Sequence, residues 1–268
     1  MLFRGSSKIL TWRQFARHVR SKGGSLLARL DEFPDSVLVT GCQRSGTTMV
    51  ARIIFQSEGM VNYWTGKDDE LDAALILSGK KDHNIQAGRY CFQTTYLNEN
   101  YQEYFEHQGR FRLIWVLRNP YSVVNSMLFN WSRFALDELF DACGSQLLEG
   151  RDLIRYNKYG RYVINRAKRA CLAYQGKTQQ AFELKERLGD EMLVVDYDDL
   201  VSDSIRVLRE VYTFIDLPFK KEYGKSISRR SIRKACKLPG KIRSMIEDMA
   251  LPEYERARVL LEKSGVGN

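Results

Sequence analysis

Along the 268-residue chain, short apolar runs rich in β-branched and aromatic residues alternate with longer stretches in which apolar residues recur every three to four positions. The short runs read as strands at residues 37–40, 60–64, 89–93, 112–117 and 192–196. Helical spacing separates them, over residues 47–56, 69–77, 98–107, 121–129, 159–187, 204–215 and 252–263. Strands without a polar face, joined through helices, predict an α/β fold: a three-layer sandwich around a central, mostly parallel sheet of about five strands. One domain over residues 1–268 is expected, with a core at 36–219.

The flanks differ from the core. Residues 8–30 are basic, with Ile9, Trp12, Phe15 and Val19 at helical spacing. A peripheral helix within residues 1–35 is expected, either packing its apolar face on its own domain or lying on a membrane surface. "LPFKKEYG" at residues 217–224 opens a basic tail, and residues 220–268 are expected to hold that tail and a C-terminal helix. The tail holds Arg229, Arg230, Arg233, Lys234, Lys237, Lys241 and Arg243, which reads as a solvated face or as a flap over a polyanion.

Charge narrows the range of partners. A net +9 from 42 Lys and Arg against 33 Asp and Glu favours an anionic one: a nucleotide, nucleic acid, a sulfated or phosphorylated ligand, or anionic lipid. Five scattered cysteines have neither metal-ligand spacing nor a disulfide framework, which predicts a reducing cytoplasm and no metal. No apolar run approaches the roughly 18 residues of a membrane span, so no stable membrane insertion is expected.

Chemistry enters with "GCQRSGTTM" at residues 41–49, directly behind the first strand. A strand, a glycine-rich turn and a helix aim backbone N–H groups and a helix N-terminus at one point, which makes an anion site. Gly41 and Gly46 have the G-x-x-x-x-G spacing of a P-loop, but Thr47 stands where the triphosphate-binding lysine belongs, and the cation has moved to Arg44. Farther on, "FRLIWVLRNPYSVVNSMLFNW" ends a strand at Leu117, sets Arg118 at its carboxyl edge, and opens a helix at Pro120 with Ser126 two turns along. A guanidinium there can grip a second phosphate.

Together, "GCQRSGTT" and "LRNPYSVVNSM" resemble the 5′-phosphosulfate loop and the 3′-phosphate motif of the sulfotransferase superfamily. "LVVDYDDLVSD" and "LREVYTFIDLPF" are similar to that family's later segments, so the resemblance runs over about residues 37–219. It implies a P-loop-like nucleotide site for 3′-phosphoadenosine 5′-phosphosulfate, with adenosine 3′,5′-bisphosphate as product and no metal. Arg44, Ser45, Gly46, Thr47 and Thr48 would hold the phosphosulfate, Arg118 and Ser126 the 3′-phosphate, and Tyr197 would meet adenine. Lys241 and Arg243 would close on the 3′-phosphate, and Arg44 would neutralise charge on the departing group. Met49 replaces the tryptophan that small-molecule members stack on adenine.

The base that deprotonates the acceptor hydroxyl is less direct. Small-molecule members use a histidine where "FQTTYLNEN" has Thr95, whereas carbohydrate-type members use a carboxylate after the second strand. "NYWTGKDDELDAA" offers Asp68, Asp69 and Glu70, with Glu70 or Asp69 as the candidate and a helix N-terminal role as the alternative for each. His83 and His107 stand outside this pattern. The expected activity is sulfuryl transfer to a hydroxyl, less readily an amine, of a carbohydrate-like or small-molecule acceptor. A P-loop kinase, which would need magnesium and ATP, and a nucleic-acid-binding module are the competing readings; no nucleic-acid partner is expected.

Overall fold

The computed structural model describes residues 9, 11–64, 68–227 and 238–262. Five strands, β1 (Ser36–Gly41), β2 (Met60–Val61), β3 (Arg89–Gln93), β4 (Phe111–Leu117) and β5 (Met192–Asp196), form one sheet in the order β2-β3-β1-β4-β5. Every pairing is parallel, with β1 between β3 and β4. From β1 the chain leaves towards β2 and from β4 towards β5. The loops after β1 and β4 therefore part, opening a crevice at the carboxyl ends of the strands.

Alternation along the strands divides the core into two apolar layers. Leu38, Phe92, Leu113, Trp115 and Val194 face one side, and Val37, Val39, Ile114, Val116 and Val195 face the other. The first layer is covered by α1 (Trp12–His18), α3 (Asp69–Leu77), α5 (Pro120–Phe129), α6 (Arg133–Leu139), α8 (Arg166–Leu188), α11 (Gly240–Met249) and α12 (Leu251–Glu262). The second is covered by α2 (Thr47–Phe55), α9 (Tyr197–Ser202) and α10 (Ser204–Phe214). Short α4 (Glu103–Glu106) and exposed α7 (Gly150–Tyr159) complete the α-helices among the described residues. The expected three-layer α/β arrangement is the one observed.

Local departures have identifiable causes. The second strand is two residues long rather than five. Residues 98–107 do not form one helix: a 3-10 segment, Thr95–Asn100, breaks at Asn98, whose φ of 36° and ψ of −111° lie outside the helical region, and α4 follows. The expected helix over 159–187 starts later, as α8 at Arg166: α7 ends at Tyr159, Gly160 with a φ of 74° and a 3-10 turn, Arg161–Val163, intervene, and Asn165 Oδ1 accepts from the Ala167 N–H at 2.8 Å to open the helix. The N-terminal segment packs inward: Phe15 and Val19 are buried, and Trp12 donates its indole N–H to Asp68 at 2.8 Å. Arg229, Arg230, Arg233, Lys234 and Lys237 of the basic tail lie outside the described residues.

Helix α8 runs along the β1, β4 and β5 face and presses Gly176 against the π-helical turn Phe140–Gly144. A Cβ at position 176 would overlap the Cys143 carbonyl oxygen, a backbone atom that cannot rotate aside. Gly176→Ala is therefore expected to cost about 1–3 kcal/mol or more through forced separation of the two elements. Urea denaturation of the two proteins measures it; equal midpoints would show that the packing yields freely.

Candidate active site

The loop after β1 has the geometry from which anion sites are made. Ser45 N–H bonds the Cys42 carbonyl at 3.1 Å, Arg44 has a φ of 73°, and Gly46 enters α2 with a φ of 98°. A side chain at Gly46 would overlap the Tyr197 ring, so the loop can lie this close to the end of β5 only with glycine there. No side chain caps α2, and its first N–H groups remain available to a ligand. Ser45 is buried, and its hydroxyl has no partner among the described residues.

Arg118 leaves the end of β4 and meets this loop. Its Nη1 donates to the Arg44 carbonyl at 3.1 Å, and its Cζ lies 4.3 Å over the Tyr197 ring. Tyr174 donates its hydroxyl to the Arg118 carbonyl at 2.8 Å. Asn119 caps α5, with Pro120 at its first position, and so orients the helix that carries Ser126. Arg44 Nε donates to Ser126 Oγ at 3.0 Å. Two segments 82 residues apart in sequence are thus joined at one point.

Arg118 is buried at the end of β4, whereas Arg44 keeps an exposed side and is only partly desolvated. Burial lowers the pKa of Arg44, and the neighbouring Arg118 lowers it further. Burial likewise lowers that of Arg118, while Tyr197, Asp198 and Asp196 oppose the fall. Their hydrogen bonds go to a hydroxyl and a carbonyl rather than to carboxylates, and Arg118 Nε is buried without a partner among the described residues. Paired cations so arranged call for an anionic ligand.

A cavity of about 840 Å³ opens from this point. Arg44, Thr47, Thr48, Met49, Arg118 and Ser126 line it, and so does Glu70. Glu70 accepts from Gln93 Nε2 at 3.1 Å and from the Thr95 hydroxyl on its other oxygen. Burial pushes its carboxyl up to about 8, with Asp68 and Asp69 adding to the rise and Thr95 opposing it. Asp69 is engaged elsewhere, its Oδ2 held by Arg52 Nε at 3.0 Å. The helix-capping role falls to Asp68, which accepts from the Leu71 N–H at 3.0 Å. Of Asp68, Asp69 and Glu70, Glu70 is therefore the one that lines the cavity.

Other candidates stand apart from the cavity lining. Tyr197 lies beneath the loop, its hydroxyl 3.8 Å from Met49 Sδ. Lys241 and Arg243 are exposed on α11, with the Arg243 guanidinium 5.6 Å from the Tyr121 ring centre. His107 pairs with Asp31 at 3.0 Å, and His83 packs beside Phe33 and Tyr90.

Several lining residues were not singled out from sequence. Gln43 donates to the Thr95 carbonyl at 2.9 Å and to Asn98 Oδ1 at 2.7 Å, while Gln180 donates to the Asn98 carbonyl at 2.9 Å. These bonds hold Asn98 in its unusual conformation at the cavity wall. Arg20 forms another wall with Tyr96 and Glu138, donating to the Tyr96 carbonyl at 2.9 Å and lying 3.8 Å from the Glu138 carboxylate. Trp131 completes it. Only the position of Gln43 inside the glycine-rich loop could have drawn attention to any of them.

A family model described as the sulfotransferase domain matches residues 34–240, which includes all five strands and the cavity's glycine-rich loop. The chain belongs to the sulfotransferase family. No curated protein matches the sequence. Among solved structures, the sulfotransferase domain of the curacin biosynthetic pathway aligns at a TM-score of 0.51 and 16% identity, covering 86% of this chain and 98% of that one. Mouse sulfotransferase SULT7A1 complexed with PAP aligns at 0.51 and 14% identity, covering 88% and 92%. The sulfotransferase of Alicyclobacillus acidocaldarius aligns at 0.50 and 12%, covering 85% and 96%. These similarities establish a shared fold, and family membership selects sulfuryl transfer over the kinase and nucleic-acid-module readings.

In this sulfotransferase the elevated Glu70 pKa also has a signature in stability. The carboxyl ordinarily titrates near 4.5, and in the folded chain near 8. Between those values the folded state holds a proton that the unfolded state has released, so stability is fullest below about 4.5 and declines as pH rises towards about 8. Glu70→Gln should remove that decline. The melting temperature of the variant relative to the wild type is expected to rise between pH 4.5 and pH 8, the interval set by the two pKa values; a pH-independent difference would show that Glu70 titrates normally.

Proposed function

We propose that this sulfotransferase moves the sulfuryl group of 3′-phosphoadenosine 5′-phosphosulfate to a hydroxyl of a carbohydrate-like or small-molecule acceptor by in-line displacement. The observation that carries the reading is the pair of guanidiniums, Arg118 buried and Arg44 exposed at the cavity mouth, joined through Ser126 and the loop without a carboxylate hydrogen-bond partner. A nucleotide with anionic groups at its 5′ and 3′ positions fits that pair, the uncapped start of α2 and the unpartnered Ser45 hydroxyl. The PAP named with mouse SULT7A1 is consistent with this assignment.

Arg44, Ser45, Gly46, Thr47 and Thr48 would hold the phosphosulfate end, and Arg118 with Ser126 the 3′-phosphate. Tyr197 supports the loop from below beside Met49, and the two would meet the adenine. Lys241 and Arg243 flank α5 from α11 and would add positive potential on the 3′ side. In the transfer the acceptor oxygen bonds to sulfur as the bond from sulfur to the 5′-phosphate oxygen breaks. Glu70 takes the acceptor proton, and Arg44 neutralises charge on the oxygens that leave. Thr95 and Gln93 hold the Glu70 carboxyl in place for that task.

Calorimetric titration with adenosine 3′,5′-bisphosphate tests the binding half. Arg118→Ala should weaken affinity by roughly 10- to 100-fold and Ser126→Ala by about 5-fold, as expected for a charged and a neutral hydrogen bond. Unchanged affinity in both removes the assignment.

The chemical half is read from kcat/KM, which should climb with pH to a plateau above about 8 as Glu70 loses its proton. Glu70→Gln should lower kcat by about 10²- to 10⁴-fold and abolish that limb, with bisphosphate affinity kept. Retention of the wild-type rate would place the base elsewhere.

A further inference from the structure

Helix α7 buries none of its ten residues. It is held to the domain by Tyr156, whose ring packs edge-on to Phe140 at 5.8 Å, and by Asp152, paired with Lys168 at 2.6 Å. Its other apolar side chains point away: Leu153 is 39% exposed, Ile154 69% and Tyr159 58%, and Tyr162 just beyond is 73% exposed. A surface helix that leaves its apolar residues wet lacks a partner within its own domain.

The charges around those side chains indicate what the partner is. At helical spacing Arg151, Ile154, Arg155 and Lys158 share one face, so the isoleucine stands among three cations. Residues 149–166 carry five cations, the others being Arg161, which pairs with Asp141, and Arg166, against the carboxylates Glu149 and Asp152. Asp152 is already paired with Lys168. Lys158 lies 5.1 Å from the Tyr159 ring centre and Arg161 5.9 Å from that of Tyr162.

We propose that α7 together with Tyr162 docks the enzyme on an anionic lipid bilayer. Aliphatic side chains enter below the headgroups, tyrosines suit the headgroup level, and Lys and Arg remain at the phosphates with their stems on the apolar surface. A second copy of the chain fits poorly, because a two-fold contact would set this basic face against itself. Nucleic acid would use the cations and leave Ile154 and Leu153 without a favourable contact. The segment also adjoins the active-site side of the molecule: Arg166 donates to the Met127 carbonyl at 3.4 Å. Met127 lies on α5, which ends at Phe129, 61% exposed, just before cavity-lining Asn130 and Trp131. The proposal stands independently of the acceptor's identity.

Sedimentation of the full chain with lipid vesicles tests it. The wild type should partition at least about tenfold more strongly onto vesicles of phosphatidylcholine with phosphatidylglycerol than onto phosphatidylcholine alone. Ile154→Ser combined with Tyr162→Ser should lower that partition about tenfold, and Arg151→Glu combined with Lys158→Glu should abolish it. All variants should melt and bind adenosine 3′,5′-bisphosphate as the wild type does, because the altered side chains are exposed. Wild-type protein remaining in the supernatant overturns the proposal. So does vesicle binding indifferent to the Ile154 and Tyr162 changes, which would assign it to charge elsewhere, as on the basic tail. Self-association removed by those changes, without vesicle binding, would put a second copy on this face and would equally overturn it.

Discussion

The parallel register of β1 with β4 is the constraint from which the site follows. Pairing Gly41 with Val116 brings both strands to their carboxyl ends at one level, so the next residues of each chain segment turn into a common crevice. Arg118 can then reach the Arg44 carbonyl, and Arg44 can reach Ser126 about two turns into α5. Register in a buried sheet is set by which side chains face which apolar layer, and a slip of one residue would invert them all. The two-layer core therefore fixes the relative positions of two arginines that lie far apart in sequence.

Tyr197 makes this close approach hold. It begins where β5 ends, its ring fills the space a side chain at Gly46 would occupy, and its face receives the Arg118 guanidinium. Arginine over an aromatic face retains attraction in a site where water is scarce, which offsets part of its lost hydration. The same burial that depresses the two arginines raises Glu70. Loss of hydration around one cavity thus shifts its cations down and its carboxyl up. These are opposite shifts from a single cause.

Much of the frame was legible in the chain. The strand runs, the turn at Gly41 to Gly46 and the Arg118 to Ser126 interval are local patterns, and local patterns survive folding when the core agrees with them. The choice between Asp69 and Glu70 was not legible, since it is decided by residues distant in sequence: Arg52 takes one carboxylate, and Gln93 and Thr95 hold the other. Thr95 is instructive, because the position that lacks histidine supplies a hydroxyl to the carboxyl that lines the cavity. The wall of Arg20, Tyr96 and Glu138 was equally hidden, being assembled from three separate segments.

Periodicity identifies an apolar face but not what will cover it, and the two basic amphipathic segments of this chain divide on that point. Around α1, Phe15 packs against Tyr96 with ring centres 5.8 Å apart, and Trp12 reaches Asp68 at the start of α3, so the face is consumed by the wall of the cavity itself. In α7 the inward positions are Asp152 and Tyr156, polar or amphipathic groups satisfied by Lys168 and Asp141, and the aliphatic residues are left outside. A helix that anchors through its polar residues and exposes its apolar ones gains little from its own domain. Its apolar residues gain a favourable contact from a surface that is both anionic and apolar, as the proposed membrane interface is.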